Sequence, residues 1–128
     1  MEARYDLLEA LIQKFVRSLP PSQEYKDRLI EEMKIIGELG FAKHFLRVVE
    51  ILNLTSDIPH ITRGSAGCSL ICYLLGISDV DPIQERIPLA RFMNPRREDL
   101  PDIDLDFPHH QQGVVMQRIF NSCLLYTS

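Results

Sequence analysis

The stretch "DLPDIDLDFPHH", Asp99 to His110, sets three aspartates at every second position. In an extended chain Asp102, Asp104 and Asp106 point to one side, and Ile103, Leu105 and Phe107 to the other. Neighbouring carboxylates at this spacing stand roughly 6.5–7 Å apart. Each pair repels by roughly 2.5 kcal/mol at an effective dielectric of about 20. A cation between them, or a proton on one, relieves that repulsion. The plain reading is a solvated edge strand whose charge deters aggregation. The sharper one is a carboxylate site for a cation of the magnesium or manganese type, which prefers oxygen ligands. His109 and His110 diverge on any regular backbone and read as a solvated pair.

A second stretch, "RGSAGCSLICYLLGI", Arg63 to Ile77, runs from small residues into an apolar segment closed by Gly76. That pattern predicts a loop-to-helix junction with free backbone N–H groups at Gly64 to Gly67 and a hydroxyl at Ser65. Such a helix start attracts anions through its unpaired donors and dipole, and Arg63 adds a full positive charge. The plain alternative is a tightly packed helix start with Ser65 as its cap. The spacing matches neither a P-loop nor a dinucleotide fingerprint. Taken together, a phosphate cradle and a carboxylate strand suit nucleotidyl transfer, in which carboxylates hold metal ions and fixed donors hold a triphosphate.

Several elements must position these stretches. Leu8, Leu11, Ile12, Phe15 and Leu19 recur at helical spacing, predicting a helix to about Leu19 that Pro20-Pro21 ends. Ser22 offers the next N-cap. A second helix follows with Tyr25, Leu29, Met33 and Ile36 on one face, and Glu24, Lys26, Glu31, Glu32 and Lys34 elsewhere. Gly37 and Gly40 supply its stop. "FAKHFLRVVEILNL", Phe41 to Leu54, fits a helix better than a strand, with His44 at its surface or packed. "TSDIPHIT" reads as loop. Residues 79–98 read as turns with a short helical piece near Leu89–Met93. After Pro108 a further helix begins, with Val115, Ile119 and Cys123 inward. No internal repeat or low-complexity segment interrupts the chain.

With 128 residues, 45% hydrophobic and 25% charged, the chain has the composition of one modest globular domain. A net charge of −4 produces no overall basic field. Contacts to a polyanion therefore fall to local groups such as Arg63, Arg91, Arg96 and Arg97. No apolar run reaches the length of a membrane span, and the N-terminus lacks a signal-peptide core. Cys68, Cys72 and Cys123 form no CxxC pair and read as reduced, packed thiols of a cytoplasmic protein.

"RGSAGCSLICYLLGISDVDP" followed by "ARFMNPRREDLPDIDLDF" resembles the bacterial C-family DNA polymerases, the DNA polymerase III alpha family. The likeness extends from about Tyr25, through "RLIEEMKIIGELGFAKHFLRVVEIL", to about Ile119. It implies an α+β fold: part of a palm of the polymerase-beta-like nucleotidyltransferase type, preceded by a helical connector. The implied organisation is a connector at residues 1–21 after a further N-terminal domain, partial palm at 22–120, and a tail of doubtful origin at 121–128. By the resemblance, Asp102 and Asp104 match catalytic, metal-binding aspartates and Asp106 matches the third acid of the motif. Arg63, Gly64, Ser65 and Arg91 match positions that contact the incoming triphosphate.

The implied cofactor is Mg2+, two ions, with Mn2+ a substitute. The implied partners are primer–template DNA and deoxynucleoside triphosphates, and, for a full-length protein, a sliding clamp and other replisome subunits. Thr62 stands where the family usually has Gly, and Gly67-Cys68 where it has Ala-Gly. The family's third catalytic aspartate, fingers and thumb lie outside this chain, so the chain by itself is expected not to polymerise. Two other classes fit the residues: another nucleotidyltransferase of the same fold, or a non-catalytic helical interaction domain with an acidic edge strand.

Overall fold

The computed structural model describes residues 2–96 and 99–127; of residues 2–3 and 123–127 only the backbone is described. Arg97 and the Cys123 side chain lie outside what is described. In chain order the elements are α1 (Glu2–Val16), α2 (Gln23–Leu39), α3 (Ala42–Leu54), β1 (Ile61–Arg63), α4 (Leu70–Leu74), β2 (Asp104–Asp106) and α5 (Gln112–Thr127). Three 3-10 turns join them, at Gly64–Cys68, Leu89–Arg91 and His109–Gln111. The architecture is α+β, helix-rich with a two-stranded sheet.

Local chemistry accounts for most boundaries. α1 ends at Val16, short of Leu19, where the Ser18 hydroxyl bonds the Phe15 carbonyl and the backbone turns before Pro20. The Ser22 hydroxyl caps α2 by accepting from the Glu24 N–H. Gly40, with φ 72°, closes α2 in the left-handed conformation that glycine adopts without a Cβ clash. Gly37 does not stop the helix as expected. It lies within α2 and faces the Tyr5 ring, where an added Cβ would approach to 3.1 Å. Its small size serves helix packing rather than termination.

A second expectation fails on α2. Glu32, placed off the apolar face, is fully buried. The spacing explains it: Glu32 lies three residues after Leu29 and four before Ile36, on the inward stripe.

Leu8 and Ile12 of α1, Ile36 of α2, Phe45 of α3, and Leu70 and Ile71 of α4 meet in one buried cluster. The Phe45 ring stands edge-on to Phe92, centroids 6.1 Å apart, which carries the core to the segment before the aspartates. Among the described residues no helix is long and apolar enough to cross a membrane.

"TSDIPHIT" is not wholly loop. Ile61 and Thr62 belong to β1, which pairs antiparallel with β2: Ile61 opposite Asp106, Thr62 opposite Leu105 and Arg63 opposite Asp104. A three-residue strand is too short for alternation to announce it. Its partner, distant in sequence, stabilises it.

Candidate nucleotide and metal site

β1 and β2 bring the two informative stretches side by side. Residues directly opposite in an antiparallel pair share a face, as do the diagonal neighbours. Arg63, Asp104 and Asp106 therefore share one face, while Thr62 and Leu105 take the other. Arg63 Nη2 stands 2.5 Å from Asp106 Oδ2, in an ion pair largely open to solvent. Asp102 precedes the strand and is exposed. Of the three acids expected in one row, two lie on β2 and the third on the segment leading into it.

Gly64 follows β1 directly with φ 77°, a left-handed conformation that turns the chain sharply into the 3-10 turn. A Cβ at Gly64 would sit 3.5 Å from Asp104 Oδ2. The elbow and the acid strand are thus in contact range, with only a hydrogen on the facing carbon. Ser65 is the next residue of the elbow and half-buried. Arg91 is exposed at the end of the turn Leu89–Arg91, which packs against the Gly64–Cys68 turn.

The helix start differs from expectation. α4 begins at Leu70, after the 3-10 turn, and its cap is Ser69 rather than Ser65: the Ser69 hydroxyl accepts from the Cys72 N–H at 3.0 Å. The first α4 donors are already taken. Glu32 accepts from the Leu70 N–H at 2.7 Å, from the Ile71 N–H at 3.2 Å and from the Ser69 hydroxyl at 2.6 Å. The anion at this helix terminus is the protein's own carboxylate. Burial pushes the Glu32 carboxyl up to about 7, against the opposing pull of those three hydrogen bonds and of Arg28.

Other side chains hold the frame. His44 Nε2 lies 2.7 Å from the Pro101 carbonyl, immediately before Asp102. The Thr62 hydroxyl donates to the Ile77 carbonyl, which the His60 ring also approaches, at 3.1 Å. β1 is thereby fastened to the segment after α4. Cys68 and Cys72 are buried, and burial raises both thiols, so neither offers a ready thiolate for a metal.

In kind, the carboxylate oxygens of Asp102 and Asp104 suit a hard cation that prefers oxygen. In number they are a partial set. Among the described residues no three His, Cys, Asp or Glu side chains converge as a metal cluster.

The family model described as the bacterial DNA polymerase III alpha NTPase domain matches residues 4–123. The chain belongs to that family. It is 43% identical over 103 residues to a DNA polymerase III subunit alpha of Aquifex aeolicus, covering 78% of this chain and 9% of the relative. A DNA polymerase III subunit alpha of Bacillus subtilis is 38% identical over 102 residues, 77% of this chain and 9% of the relative. An error-prone DNA polymerase of Ruegeria pomeroyi is 37% identical over 123 residues, 93% of this chain and 11% of the relative. The chain spans about a tenth of the length of these curated relatives.

Proposed function

We propose that this segment is part of the palm of a DNA-directed DNA polymerase acting in replication in the bacterial cytoplasm. The reaction is attack of a primer 3′-hydroxyl on the α-phosphate of a deoxynucleoside triphosphate, with pyrophosphate leaving. The observation that carries the proposal is the approach of the Gly64 elbow to Asp104 across the β1–β2 pair, in a chain of this family. Phosphate donors and cation-binding oxygens must lie within one triphosphate's reach for this chemistry, and these two stretches together offer both.

In this reading Asp102 and Asp104 present carboxylate oxygens to Mg2+ or Mn2+, two ions in the complete site, with Asp106 beside them. When bound, the cation supplies charge neutralisation at the phosphates and lowers the pKa of the primer hydroxyl. The Gly64 and Ser65 N–H groups and the Ser65 hydroxyl donate to phosphate oxygens. Arg63 and Arg91 balance the triphosphate charge from two sides. The segment's partners are primer–template DNA and deoxynucleoside triphosphates and, in the full-length protein, a sliding clamp and other replisome subunits.

The test is primer extension by the full-length protein that carries this segment. Changing Asp102 and Asp104 to Asn should each cost on the order of 100-fold or more in the rate of extension, as loss of transition-state charge stabilisation does. The 128-residue chain alone should give no extension. Full activity of the two Asn variants, or robust extension by the isolated chain, would sink the assignment.

A further inference from the structure

We infer that Arg28 and Glu32, one turn apart on α2, are positioning residues that set the Gly64–Ser65 elbow and Arg91 in register with each other for the triphosphate. Neither belongs to the two stretches whose residues suggested the site, and the inference rests on the triphosphate reading proposed above.

The geometry is a two-sided clamp. Glu32 takes three donors at the junction that follows the elbow: the Ser69 hydroxyl and the Leu70 and Ile71 N–H groups. Arg28 Nη2 donates to the Cys68 carbonyl, the last residue of the elbow's 3-10 turn, at 3.4 Å. The same nitrogen donates to the Ile87 carbonyl, just before Pro88 and the turn that ends in Arg91. One guanidinium thus ties the turn beginning at Gly64 to the turn ending at Arg91. Arg28 Nε stands 3.6 Å from Glu32 Oε2, beyond hydrogen-bond length but within ion-pair range, so each charge steadies the other.

Burial makes the clamp stiff. Glu32 is 0% exposed and the Arg28 side chain 12% exposed. A buried carboxylate with three donors and one cation has no solvent to substitute for a lost partner. Phosphate donors that are moved out of place lose hydrogen bonds to the triphosphate, which weakens its binding. Shifts in α2 would therefore reach both halves of the phosphate cradle together, although neither Arg28 nor Glu32 is among the proposed triphosphate contacts.

The experiment is steady-state single-nucleotide incorporation by the full-length protein, with KM for the deoxynucleoside triphosphate, kcat and the primer–template Kd measured separately. Glu32→Gln keeps the shape but turns an amide donor toward the Ser69–Ile71 donors. It should raise KM by about tenfold or more, with kcat and DNA Kd within about twofold. Arg28→Lys keeps the charge but ends one bond short of the Nη2 that reaches both carbonyls, and should move KM in the same direction. A loss of general stability would lower the active fraction, hence kcat, and leave KM in place.

Ser65→Ala and Arg91→Ala serve as the comparison. If they raise KM while Glu32→Gln and Arg28→Lys do not, the clamp inference falls and the site reading stands. If all four leave KM unchanged, the site reading itself falls. Should Glu32→Gln fail to fold, Arg28→Lys decides by the same comparison.

Discussion

Gly64 and Asp104 show how much a single hydrogen can matter. The left-handed φ of 77° at Gly64 disfavours every residue with a Cβ, and an added Cβ would stand 3.5 Å from Asp104 Oδ2, at ordinary contact distance. Gly64→Ala should therefore lower unfolding free energy by about 1–2 kcal/mol through backbone strain, read as a lower urea midpoint with an unchanged slope. An unchanged midpoint would mean that the elbow relaxes out of the left-handed region. At this scale the sequence is informative where chemistry is local. Alternation alone places Asp104 and Asp106 on one side of a strand, and it does so correctly. The Arg63–Asp106 pair is a different matter, since it depends on the register between two strands distant in sequence. Glu32 had a readable signal, a charged residue on an apolar stripe, but nothing in α2 names the donors that would satisfy it.

Among the elements, α2 and α4 depend on each other through that carboxylate. α4 spans only Leu70–Leu74 and would not hold as an isolated helix; Glu32 and Ser69 supply the partners its first turn lacks. The charged and titratable groups around Glu32 are Arg28 on α2, Cys72 on α4 and Cys68 in the preceding turn. Because burial raises the Glu32 carboxyl from 4.5 to about 7, the folded chain holds a proton that the unfolded chain releases. Its contribution is complete below the unfolded value and is lost as pH rises to about 7. The parent chain should lose stability relative to Glu32→Gln between pH 5 and 7.5, and no further above that range. Urea midpoints of the two chains across the range measure this, and a constant gap would contradict it. The long helices α2 and α3 could be read from periodicity, caps and the Gly40 stop. β1 could not, being too short to show a period. The start of α4 was displaced because two serines offer themselves as caps, and only tertiary contact with Glu32 selects Ser69.

On the scale of the whole molecule, α1 belongs to the same core as the site-bearing elements. Leu8 and Ile12 lie in the cluster that contains Phe45, Leu70 and Ile71. Leu8→Ala should cost about 2–5 kcal/mol and lower one shared transition, so that a probe on α1 and a probe near Gly64 melt together. Separate transitions at the two probes would show α1 to be an independent unit. The sequence shows where apolar stripes begin and end, but not which stripes face each other; that pairing is a property of the assembled chain.

The ion pair between Arg63 and Asp106 has a consequence for the order in which ligands arrive. Exposed as it is, the pair adds only about 0–1 kcal/mol and opens at little cost. In the proposed site, a triphosphate that captured the guanidinium would leave a bare acid behind, ready for a metal, and a metal seated there first would release the guanidinium to phosphate. On that reading each ligand would favour the other by the same factor, so nucleotide and cation should bind cooperatively, with one small latch linking the two affinities.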